Sequence, residues 1–151
     1  MNILFTVVLA LLMAVGVFKL ALKRERRGLV YIGMFMLLAA DIWRVNSVSL
    51  QHAITTGSPM ASLATIQMFG VMVGSLDLAV AAALIAFIAA VSEKPNSVNW
   101  AIGGEAAAIA TGIILTNTVG GFIPGSYLLL VGILPAAWQC RSQIADISRA
   151  A

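Results

Sequence analysis

Long uncharged runs broken by short polar clusters organise this chain. Residues 1–18 carry no charge, and Lys19, Lys23, Arg24, Arg26 and Arg27 follow them. Residues 28–40 are again uncharged, and the apolar character continues past Asp41, Trp43 and Arg44 to about Ser47. The stretch VSLQHAITTGSPMAS (48–62) is polar, contains Gly57 and Pro59, and predicts a loop. A third apolar run covers about 64–91, interrupted only by Asp77, and SEKPNSVN (92–99) predicts a turn.

Residues 100–140 are too many for one membrane crossing of about 20 residues. The segment TNTVGGFIPGS (116–126) places three Gly and a Pro in their middle. The pattern therefore predicts an all-α membrane protein, a single domain over 1–151 built as a bundle of five transmembrane helices. The predicted spans are about 2–22, 28–47, 64–91, 100–116 and 122–140. Four spans, with one long broken helix in 100–140, is the alternative.

Composition agrees. The 151 residues are 61% hydrophobic and only 10% charged, against about 25% charged in soluble domains. Such a chain cannot cover a water-facing surface with polar side chains, so lipid is the expected solvent.

Charge then sets an expected orientation. Five of the nine basic residues sit in the cluster after the first run. With five spans and the N-terminus outside, the inner side holds Lys19, Lys23, Arg24, Arg26, Arg27, Lys94, Arg141 and Arg149, and the outer side only Arg44. That arrangement predicts a cytoplasmic C-terminus and a multi-pass protein of the bacterial cytoplasmic (inner) membrane. The cluster follows the first apolar run rather than preceding it, so a retained helix is expected rather than a signal peptide. No aromatic or glycine pattern interleaves with the cations, which argues against nucleic acid.

Three acids fall inside apolar runs, where a charge costs several kcal/mol to insert. Asp77 lies near the middle of its predicted span and is a candidate proton or cation site; the alternative is a buried contact that fixes helix register. Glu105 follows Gly103 and Gly104 in the first turns of the predicted fourth span, where the helix N-terminus would stabilise a carboxylate. A relay with Asp77 is the other reading. Asp41 and Arg44 are three apart on one helix face and predict an ion pair.

Small residues recur at intervals of four, the spacing that lets helices approach closely in lipid. Gly70 and Gly74 form one such face, and Gly104, Ala108 and Gly112 another. Trp43, Trp100 and Trp138 fall near predicted span ends, as interfacial anchors do. Cys140 is the sole cysteine and reads as a small residue at a helix end, with palmitoylation conceivable. His52, the sole histidine, falls in the predicted loop, so no multi-His metal site and no cofactor is expected.

No catalytic motif accompanies these residues, and the chain is expected not to be an enzyme. The first expectation is a polytopic membrane subunit that packs with other membrane subunits or copies of itself, in a transport, secretion or energy-conversion assembly. The alternative is a small proton- or cation-coupled transporter or channel using Asp77 with Glu105.

Overall fold

The computed structural model describes residues 2–23, 26–45, 56, 65–120 and 125–144, with the backbone alone at 2, 38, 40–45 and 126. The described residues are mostly helical. Helix α1 is Asn2–Leu22 and α2 is Arg27–Val45. Strands β1 (Thr65–Met68) and β2 (Val71–Gly74) form an antiparallel hairpin. Helices α3 (Ser75–Val91), α4 (Pro95–Val119) and α5 (Gly125–Gln139) follow.

The hairpin corrects the expectation of one helix over 64–91. Thr65 pairs with Gly74 and Met68 with Val71, leaving Phe69 and Gly70 as the two turn residues. Both have positive φ, 50° and 82°, the signature of a type I′ turn, whose twist suits a two-residue hairpin. Gly70 and Gly74 are therefore not a helix-packing face. Gly70 supplies the left-handed turn position, and Gly74 ends β2 and precedes α3.

The fourth helix also differs from the expected 100–116. Pro95 does not break it but opens it: the ring fixes a helical φ, and the missing N–H would lack a partner at that position anyway. The Ser92 hydroxyl, 3.0 Å from the Lys94 N–H, orders the residues just before it. The turn between α3 and α4 thus shrinks to 92–94, and α4 runs 25 residues to Val119.

Helix α3 is the axis of the molecule. Its alanines give every side a low profile, and Ala79, Ala81 and Ala83 are all buried. Helix α1 lies along it, with the Thr6 hydroxyl donating to the Ser75 hydroxyl at 2.7 Å. That bond joins the two helix starts, so α1 and α3 run in the same direction. Helix α2 runs back beside α1: Arg27 at its start donates to the Ala21 carbonyl near the end of α1 at 2.8 Å, and Leu12, Gly16 and Leu20 share a crevice with Leu29, Gly33 and Leu37. Helices α4 and α5 form the second tight pair. Ser97 near the start of α4 bonds Gln139 at the end of α5, so they are antiparallel.

These directions sort the charges. Lys19, Lys23, Arg26, Arg27, Lys94 and Arg141 all occupy the end where α1 and α3 finish. The hairpin, Asp77, the end of α4 and the start of α5 occupy the other. Exposed Trp100 and Trp138 sit toward the basic end, and Arg141 stacks on Trp138 at 4.7 Å from the ring centre.

Among the described residues, two helices are long and apolar enough to cross a membrane: Ile3–Leu22, with mean hydropathy 2.6, and Pro95–Val119, with 1.4. Helices α3 and α5 are apolar but shorter, at 17 and 15 residues.

Candidate functional site

The two principal acids exchange the environments expected of them. Asp77 is the third residue of α3, not a mid-helix residue. There the free amides and the dipole of the helix start favour a carboxylate. Two glycines make room for it. A Cβ at Gly74 would lie 2.6 Å from Asp77 Oδ2, and one at Gly125 would lie 2.8 Å from Asp77 Cγ. Asp77 also lines a cavity of about 60 Å³ between β2, α4 and α5, shared with Ala108, Gly112, Thr116 and Leu128.

Glu105 is not in the first turns of its helix. Because α4 starts at Pro95, Glu105 lies ten residues further on, about 15 Å along the axis at 1.5 Å per residue. The terminal amides and dipole act only over the first turn, so that explanation fails. Glu105 is 1% exposed, and neither carboxyl oxygen has a hydrogen-bond partner among the described residues.

Beside Glu105, α4 and α5 meet backbone to backbone. A Cβ built on Gly104 would collide with the Gly132 carbonyl, and one on Gly132 would lie 2.5 Å from the Gly104 carbonyl oxygen. Ala108 continues this seam, its Cβ 3.0 Å from the Cβ position of Gly132. At Gly112 an added Cβ would meet only the Leu128 side chain, at 3.1 Å. The Gly104, Ala108 and Gly112 face therefore packs within the chain, against α5.

The structure does not bring Asp77 and Glu105 together. Thr116, which lines the same cavity as Asp77, is about 16 Å along α4 from Glu105. Asp41, Trp43 and Arg44 lie in the last turns of α2, and their side chains, like His52, fall outside what is described. Cys140 is 1% exposed, so its thiol is not offered at a membrane surface for palmitoylation. No group of three or more metal-ligating side chains occurs among the described residues.

Sequence reading missed Thr6, Ser97, Gly125, Gln139 and Gly132. All act through partners far along the chain. Only Gly132, isolated in the apolar run LLLVGILP, carried a local hint of a close helix contact. Comparison with family models, curated proteins and solved structures finds no match to this chain.

Proposed function

We propose that the chain is a multi-pass integral membrane protein, with its basic end in the cytoplasm, that serves as a non-enzymatic subunit of a larger membrane assembly. One observation carries the membrane part. The Ile3–Leu22 span has a mean hydropathy of 2.6, yet only 6% of it is buried. A core helix of a soluble protein would hide that surface. Here Leu4 and Leu12 are 70% and 67% exposed, and burying a Leu is worth about 1.5–3 kcal/mol. Lipid resolves the mismatch for the whole of α1. The outer face of α2, with Leu29, Ile32, Phe35 and Met36, has the same need.

The alternation of helix directions and the concentration of cations at one end support five crossings with the N-terminus outside. The subunit role rests on the extent of this apolar surface: α1 and α2 present faces that lipid or another helix can cover, and the chain has few polar groups with which to act alone. The test is alkaline carbonate extraction of membranes, followed by mild-detergent purification with mass spectrometry of co-purifying chains. Retention in the membrane pellet with a stoichiometric partner, or a defined homo-oligomer, is expected. Release by carbonate defeats the membrane reading, and a lone monomer defeats the subunit reading.

A second reading, a proton- or cation-coupled transporter, draws support from the solvation of Glu105 alone. An acid in the middle of an apolar helix, with neither oxygen partnered among the described residues, has no evident structural use.

A further inference from the structure

We propose that Glu105 is a proton-binding site in the interior of the bundle, reached from the hairpin end of the molecule. The proposal rests on the membrane reading above and asks what the buried carboxyl holds.

Size decides the ligand. Glu105 is 1% exposed, and the Gly104–Gly132 contact seals the α5 side next to it. A lysine or arginine from another chain has no path to such an oxygen without parting α4 from α5. A calcium-like cation wants six to eight oxygen ligands, and α4 supplies one carboxyl at this level. A proton needs a single oxygen and no opening. An isolated carboxylate in an apolar interior is costly enough that the group neutralises instead.

The neighbours supply no competing charge. Helix α4 has no other titratable residue, and Glu93 and Lys94 lie before its start. Helix α3 has Asp77 alone, in its first turn. Helix α5 has only Tyr127, two residues after its start, and is followed by Cys140 and Arg141. Strand β2 has none. The charged groups nearest along these elements all lie toward their ends.

Access is one-sided. On α4 the cavity beneath the hairpin is lined by Thr116, then Gly112 and Ile113, then Ala108 and Ile109. It therefore descends from Asp77 to within one turn of Glu105. About 60 Å³ holds on the order of two waters, and the Asp77 carboxyl and Thr116 hydroxyl give them polar partners. Toward the basic end the same face is closed. Ala101 and Ser97 are both fully buried, and the Ser97 hydroxyl donates to Gln139 Oε1 at 3.3 Å.

The test uses the full chain reconstituted in phosphatidylcholine vesicles. Infrared spectra at neutral pH should show a protonated-carboxyl band that shifts in D₂O. The band should persist in Asp77→Asn and vanish in Glu105→Gln, with helical content unchanged. Gly112→Ala narrows the cavity against a flexible leucine and should slow deuterium exchange of the band several-fold, whereas Ser97→Ala at the closed end should leave the rate unchanged. Absence of the band from the wild type, or its survival in Glu105→Gln, overturns the site. Faster exchange in Ser97→Ala with none slowed in Gly112→Ala overturns the route. Carbonate extraction of the same vesicles reports separately on the membrane reading, which fails if the chain is released whatever the band does.

Discussion

The hairpin end and the α4–α5 seam each pair one acid with two glycines, yet the glycines do opposite things. Around Asp77, Gly74 and Gly125 leave space that a side chain fills. Beside Glu105, Gly104 and Gly132 leave space that backbone fills. The first acid is half-buried at a helix start, with a cavity beside it. The second is buried mid-helix, one turn beyond that cavity, with no hydrogen-bond partner among the described residues. Missing side chains can thus accommodate a charge or exclude solvent from one, and only the identity of the atom opposite tells which.

The largest expected effect tests the seam. Gly132→Ala puts a methyl 2.5 Å from the Gly104 carbonyl oxygen and 3.0 Å from Ala108 Cβ. Neither partner is a flexible side-chain end, so α4 and α5 must separate. Overpacking of this kind costs about 1–3 kcal/mol and sometimes more, and the upper end is expected. Gly103→Ala, on the open side of α4 with nothing within 4 Å, should be neutral or gain up to about 1 kcal/mol from helix propensity. Thermal unfolding in detergent compares the two. Equal midpoints would mean that α4 and α5 are not in backbone contact.

Next in size is a gain. Glu105→Leu replaces an unpartnered buried carboxyl with an apolar side chain of similar volume. Mutational data price such a polar group at about 1–3 kcal/mol, so the variant should unfold at a higher temperature than the wild type. Asp77→Leu should move the other way, because it removes a carboxylate from a helix start. If both destabilise, Glu105 has a partner in the native protein and the contrast between the two regions collapses.

Much of this was legible from the chain alone, and the failures share a cause. The apolar runs announced helices, and the charge pattern announced two unlike ends. Hydropathy, however, registers only that residues are apolar. It read TIQMFGVMVG as the beginning of a helix because Val, Met and Ile suit a helix in lipid as well as a strand. The two-residue turn Phe69-Gly70 between apolar pairs was the overlooked mark. The pattern SEKPNSVN predicts a turn through 99, although a Pro such as Pro95 also opens helices. Those two boundary errors moved the start of α3 from about 64 to Ser75 and the start of α4 from 100 to Pro95. They interchanged the expected surroundings of Asp77 and Glu105. The Gly104–Ala108–Gly112 spacing was visible, but its partner Gly132 was not, since no local rule pairs residues on separate helices.

The smallest effect tests whether Asp77 and Gly125 act as one unit. Gly125→Ala would press on the Asp77 carboxyl, with Cγ 2.8 Å and both oxygens 3.0 Å from the new Cβ. That carboxyl is the far end of a rotatable side chain, so it can swing aside. The cost should stay near 1 kcal/mol, typical of a single substitution with one named clash. Asp77→Ala alone should cost about 0.3–1 kcal/mol through the helix dipole. In the double variant the clash has nothing to hit, so the combined loss should fall short of the sum, by up to about 1 kcal/mol of coupling. Urea midpoints of the four proteins measure it. Strict additivity would show that Gly125 is glycine for some reason other than Asp77, and the hairpin end would then differ from the seam in degree rather than in kind.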